Sequence, residues 1–236
     1  MAQIGKWLRV HCAGYDLTTD LIGVSPDTTY DELEAGGFTQ DKWYKAGRGD
    51  GTIQLEGFLV PATTETAFKA IATNTEKIVS AAFGNNALPT IGNPVVNLAA
   101  QQVNYLSTPD FNGLMKVSAT FKALNSITEW GNLLADATIT ANGNQASYDA
   151  GASSSAGGIG YLHIAGLSAG DTITVVIQDS ADDAAWADLI TFTLDGSTIT
   201  SERLTVAGTV DRYTRAEYTV AGASISFPIS VSFKRN

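Results

Sequence analysis

From about Val24 to Gly51 the chain departs from the rhythm of short strands and short turns that runs through the rest of its first 130 residues. Connections in compact domains are about 4 to 6 residues long, and a stretch several times longer is usually functional or disordered. This one carries Tyr30, Phe38, Trp43 and Tyr44, side chains that are costly to leave in water and are enriched at interfaces. Two readings are open: the aromatics fold back onto the domain's own core, or the segment is a docking arm ordered by a neighbouring subunit. We favour the docking arm, which makes Tyr30, Phe38, Trp43 and Tyr44 the expected subunit-interface residues.

The segments on either side read as strands. Trp7 to Cys12 alternates with a period of two and meets a turn at Gly14, Leu17 to Val24 resumes the extended pattern, and Thr52 to Val60 turns Ile53 and Leu55 toward a core with Gln54 and Glu56 outward. Pro61 stops that strand, because proline cannot donate into a ladder. One helix is predicted from about Thr64 to Ala72, capped by Thr63 or Thr64, with Glu65 in its first turn and Phe68, Ile71 and Ala72 on one face. Further strands are predicted at Lys77 to Phe83, Val95 to Leu106 and Leu114 to Leu124. The strand pattern fades from Asn125 to Asp136, which places a junction there and divides the chain into 1–128 and 129–236. Beyond it, short β runs recur every 8 to 12 residues from Thr138 to Phe233, the spacing of an all-β sandwich. Gly151 to Gly158 reads as a flexible Gly/Ser loop in this half.

The net charge is −10 over 236 residues. Divided at residue 130, the first part has 9 basic and 13 acidic residues (−4) and the second 5 and 11 (−6). Neither has the clustered Lys and Arg with which a protein displaces counterions from phosphates, which argues against tight nucleic-acid binding. An acidic surface suits a wall that DNA slides past without sticking. Cys12 is the only cysteine, so no disulfide forms within the chain. No leader-like segment and no apolar run of about 18 residues is present, which points to synthesis in a cytoplasm and away from a membrane.

No nucleophile elbow, phosphate loop, zinc signature or dinucleotide fingerprint occurs, so no catalytic, cofactor or metal residues are assigned and the chain is not expected to be an enzyme. His11 and His163 lie on strands in different halves and read as satisfied or surface histidines. Asp179, Asp182, Asp183 and Asp188 gather around one turn and could hold calcium. A solvated hairpin tip accounts for them better. Arg48-Gly49-Asp50 reads as turn chemistry. Trp186, Tyr161, Tyr213 and Tyr218 could stack a sugar, with Trp186 and Tyr213 as a possible glycan platform, although aromatics within alternating strands are usually core.

The run VHCAGYDL at Val10 to Leu17, the long loop, and DGTIQLEGF at Asp50 to Phe58 followed by a helix resemble the major tail tube proteins of long-tailed, siphovirus-type bacteriophages over roughly residues 5 to 124. The second half, with YLHI at Tyr161 to Ile164, QDSADDAAWADLITF at Gln178 to Phe192 and the closing Thr209 to Arg235, looks like a β-sandwich module found on phage virion proteins. The resemblance implies a mainly β chain: a tail-tube-like sandwich or barrel with one helix over 1–128, and an Ig-like or jelly-roll-like sandwich appended at 129–236. It implies a virion structural protein of hexameric rings that stack around a DNA channel, with DNA passing unbound, other virion proteins as partners and no cofactor. The alternatives are a capsid decoration protein of the same fold and a glycan-binding adhesion module in the second half. An appendage on a short polar linker shares only a modest interface, so assembly is expected to survive its loss.

Overall fold

The computed structural model describes residues 7–35, 43–69, 76–109, 113–124, 126–166 and 170–236, with the backbone alone at 34, 35 and 43–45. The fold is mainly β, as the sequence indicates, and consists of two antiparallel sheets. In chain order the strands are β1 (Leu8–Cys12), β2 (Tyr15–Asp16), β3 (Leu21–Ala35), β4 (Trp43–Phe58), β5 (Lys77–Phe83), β6 (Pro94–Pro109), β7 (Met115–Ala123), β8 (Glu129–Ile139), β9 (Gly143–Asn144), β10 (Tyr148–Asp149), β11 (Gly158–Ile164), β12 (Thr172–Ser180), β13 (Ala187–Thr191), β14 (Thr200–Val206), β15 (Tyr213–Ala221) and β16 (Phe227–Arg235). Among the described residues one helix, α1 (Thr66–Lys69), continues a single π-helical turn at Pro61–Glu65.

The larger sheet runs β14-β11-β16-β8-β6-β5-β1-β2, with β7, β4 and β3 continuing from the far half of β6. The long strand β6 makes this branching possible. Its residues Pro94 to Asn97 pair with β8, and Ala100 to Pro109 pair with β7. The smaller sheet runs β10-β15-β12-β13, with β9 also on β15.

Two cores result. The first gathers Val10 and Cys12, Ile53 and Leu55, Phe68 from α1, Val79 and Ala81, Val96 and Leu98, and Val117, Ala119 and Phe121. The second lies between the sheets and gathers Leu162 and Ile164, Ile173, Val175 and Ile177, Ala216, and Phe227, Ile229, Val231 and Phe233. Strand periodicity explains the division, because alternate residues point to opposite faces. On β5, Val79 and Ala81 enter the first core while Ile78 and Ser80 face the other way. On β11, Leu162 and Ile164 enter the second core while Tyr161 and His163 turn back toward β5. β11 is therefore buried along its whole length, and the sheet curls until β11 lies over β1 and β5.

Three sequence expectations need correction. The stretch from Val24 to Gly51 is not a loop but, over its described residues, the greater part of a long hairpin: Val24 pairs with Leu55, Thr28 with Gly51 and Ala35 with Trp43. Its strands carry Pro26, four glycines on β4 and many charges, a composition that hides strand periodicity. The helix begins at Pro61 rather than Thr64, and Val60 has no side-chain cap of its own. Instead its N–H donates to Thr64 Oγ1 at 2.8 Å. Ile71 and Ala72 lie outside the described residues. The junction at 125–136 is largely strand: β8 hydrogen-bonds to β6 on one side and β16 on the other, so the sheet passes from one half to the other without a linker. Its pattern fades in the sequence because Glu129, Asn132 and Asp136 face polar partners rather than oil.

Candidate assembly surface

β4 pairs with β7 only from Thr52 to Phe58. Beyond Thr28 and Gly51 the hairpin therefore runs out as two strands paired only with each other, and at ~3.3 Å per residue this arm extends roughly 25 Å. Its base is seated by close backbone approach. A Cβ on Gly51 would sit 2.6 Å from the Thr128 nitrogen, and one on Gly49 would meet the Ile127 side chain at 2.8 Å and the Tyr30 ring at 2.9 Å. Glycine is the residue that allows such contact. Arg48-Gly49-Asp50 thus lies within β4 rather than at a turn, and Asp50 pairs with Lys122 at 3.6 Å.

Along the arm, Tyr30 is 50% exposed and Leu33 55% exposed. Trp43 pairs with Ala35 and Tyr44 with Glu34 in the backbone ladder; their side chains and all of Phe38 lie outside the described residues. Acidic Asp27, Asp31 and Glu32 flank the apolar pair on β3. At the arm's base opens a polar cleft of ≈ 790 Å³, lined by Asp31, Arg48, Asp50, Ser126, Glu129 and Arg203 among others. Its floor is fixed by buried Glu129, which accepts from Arg203 Nε and Nη2 at 3.1 and 3.0 Å and faces Lys234 at 3.7 Å.

Two further exposed apolar groups escaped sequence reasoning. Ile22 and Leu106 border a smaller cavity of ≈ 280 Å³ on the outer face of β3, β4, β7 and β6. Trp130, 52% exposed, stacks on Phe83 with ring centroids 5.7 Å apart. Ile22 and Leu106 alternate with the core-facing Leu21 and Tyr105 and read as ordinary strand residues, while Trp130 falls in the stretch where the strand pattern fades. An exposed tryptophan on a strand end is the one signal that could have marked the second pair.

The other candidate groups are held differently. Arg215 lies 4.0 Å above the half-buried Trp186 ring, and Arg212 lies 4.9 Å above the Tyr213 ring. A guanidinium thus covers one face of each residue of the possible glycan platform. Tyr161 is fully buried, and Tyr218 packs against the second core. Of the four aspartates, Asp182 accepts from the Ala184 and Ala185 amides in its own turn, holding its carboxyl below the usual carboxylate range, while buried Asp179 accepts from the Asp211 amide and Asp188 from Gln178. Among the described residues no group of three His, Cys, Asp or Glu is placed to hold a metal ion, and no helix is long and apolar enough to cross a membrane.

The two histidines meet. Their ring centroids are 5.5 Å apart and both are buried, in a polar seam between the halves. The Gly14 amide donates to His163 Nδ1 at 3.3 Å, which leaves the ring proton on Nε2, 2.8 Å from Ser80 Oγ. Ser80 and Ser232 then donate to Asn97 Oδ1 at 2.7 and 2.9 Å. His11 Nε2 lies 3.9 Å from Asp136, which also pairs with Arg9 at 3.2 Å. Burial pushes both imidazoles below their ordinary range, His163 well below. For His11 the carboxylates of Asp16 and Asp136 oppose that shift and Arg9 adds to it. Cys12 is buried in the first core, which pushes its thiol up to about 12.

No protein-family model matches the sequence, and no curated protein matches it. The chain is similar to a component of the sheath–tube complex of an extracellular contractile injection system, PVC, in its extended state, with 19% identity, 54% of this chain and 91% of that chain covered and a TM-score of 0.43. It is similar to a chain of the tail of an empty gene transfer agent particle, at 14% identity over 53% and 96% of the two chains and a TM-score of 0.41. The SPP1 Dit protein, a hub of the adsorption apparatus in phages that infect Gram-positive bacteria, aligns over 96% of this chain and 98% of its own, at 11% identity and a TM-score of 0.35.

Proposed function

We propose that this chain is a non-catalytic structural subunit of a phage-type tail tube, which assembles with copies of itself into stacked hexameric rings around a channel that DNA passes without specific binding. The observation that carries the reading is the two-stranded arm beyond Thr28 and Gly51. A two-stranded ribbon is at best marginally stable in water, and this one leaves about half of Tyr30 and of Leu33 in solvent. A neighbouring subunit that covers the arm removes both costs at once. An arm that docks on a different surface of the next copy makes head-to-tail contacts, which close into rings or extend into filaments. The resemblance of Val10 to Leu17 and Asp50 to Phe58 to tail tube proteins supports the same reading, as does the net charge of −10, which keeps a lumen from gripping DNA. The virion is the location that follows.

Sedimentation velocity on the full chain over a concentration series tests the proposal. Concentration-dependent growth to hexamers and larger multiples is expected. A monomer at every concentration refutes it, and a trimer favours the capsid decoration alternative.

A further inference from the structure

We propose that the buried seam around His163 is an acid-released latch that holds the β1–β2 turn and β5 against β11 at neutral pH and lets the turn part from β11 on acidification. The seam joins elements of both cores: Gly14, His11 and Ser80 on one side, and His163, Ser232 and Asp136 on the other, with Asn97 between them. Its hydrogen bonds run in one direction, from the Gly14 amide into His163 Nδ1, from His163 Nε2 into Ser80, and from Ser80 into Asn97. Neutral imidazole has one donor and one acceptor nitrogen, and this chain uses both. A second proton would have to sit on Nδ1, where it would face the Gly14 N–H, donor against donor. The His163 cation would also lie against His11, 5.5 Å away between ring centroids.

The charged and titratable groups facing the pair are Arg9 on β1, Asp16 on β2 and Asp136 on β8. The neighbours contributed by β5, β6, β14 and β16 are Ser80, Asn97, Ser201, Ser230 and Ser232, none of which titrates in this range. The carboxylates lie on the His11 side, where Asp136 pairs with Arg9 and lies 3.9 Å from His11; among the described residues none is placed against His163. The direction of the effect follows from linkage. With both folded histidines titrating below 6.5, the unfolded or opened chain binds more protons over the window beneath that value. The latch is therefore fully engaged above about pH 6.5 and weakens as the pH falls.

The test is hydrogen exchange by NMR on the full chain at about pH 7.5 and about pH 5, corrected for intrinsic exchange, together with an imidazole nitrogen titration. The Gly14 amide is expected to lose protection by about tenfold or more at the lower pH, while Val175 and Ala216 in the second core keep theirs. His163 should hold its proton on Nε2 at the higher pH, and His163→Gln should remove the pH dependence at Gly14. Equal Gly14 protection at both values overturns the proposal, and so does loss of protection at Gly14, Val175 and Ala216 together, which is global unfolding. If the variant fails to fold, the wild-type titration still decides: a His163 protonated on Nδ1 at neutral pH, or one that titrates normally without any change at Gly14, refutes the latch.

Discussion

Replacing Tyr30 and Leu33 with serine removes the exposed apolar surface of the arm and leaves both cores intact, since neither residue belongs to either core. A tyrosine can bury about 200 Å², and Tyr30 has half of its surface free, so a partner that covers it takes up on the order of 100 Å². At ~25 cal/mol per Å² this contributes about 2.5 kcal/mol, and the exposed half of Leu33 adds about 1 kcal/mol. A combined loss of about 3.5 kcal/mol corresponds to a few hundredfold in the association constant. Within the subunit the cost is smaller. The Tyr30 ring lies against Gly49 and the Leu33 side chain against Gly47, and cross-strand contacts of this kind contribute about 0.2 to 1 kcal/mol each. The arm should therefore loosen while the fold survives. Sedimentation velocity measures the first effect and circular dichroism melting the second. The reasoning is refuted if association changes by less than about threefold, or if the double variant unfolds, which would make these residues part of the subunit's own packing.

Two other outcomes are specific. Lys77 reaches into the fold to donate to the Ala67 carbonyl at 2.6 Å and Gln102 Oε1 at 2.7 Å, while Gln102 Nε2 donates to the Phe68 carbonyl at 2.8 Å. Together they satisfy the end of α1. Lys77→Met strands two buried acceptors and should cost about 2 to 4 kcal/mol in urea titrations; a loss below about 0.5 kcal/mol would show the clamp to be dispensable. Burial lowers the Lys77 pKa, so this group's contribution to stability rises as the pH climbs toward its unfolded value near 10.4 and falls back as the pH drops. The methionine variant should lack that rise. Residues 1–128 alone should fail to give a stable folded unit, contrary to the expectation of a dispensable appendage, because the cut uncovers the Pro94–Asn97 edge together with His11, Ile78, Ser80 and Asn97. A cooperative urea transition from that fragment would show that the seam is not needed for folding.

Much of the strand order was legible because a half-buried strand alternates. Ile53 and Leu55 against Gln54 and Glu56 gave the inward face of β4, and the predicted strand at Lys77 to Phe83 coincides with β5. What stayed hidden has a common physical cause. β5 and β11 are buried on both faces, so they have no alternation to report, and a continuous run such as Gly158 to Ile164 is the only trace of the second layer. The polar residues of the seam look like surface positions until the fold supplies their partners. Ser80, Asn97, His163 and Ser232 come from strands far apart in sequence, and spacing carries no information about such a meeting. The arm was visible as an anomaly of length and aromatic content but not as a hairpin, because the glycines and charges of β3 and β4 lower their strand propensity and the pairing between them restores it.

Negative-stain imaging of the purified full-length chain tests the central claim most directly. Sixfold rings or stacked tubes are predicted for the native chain, with their disassembly on Tyr30→Ser and Leu33→Ser substitution. Isolated particles of single-subunit size, or closed assemblies of another symmetry that persist in the double variant, would contradict it.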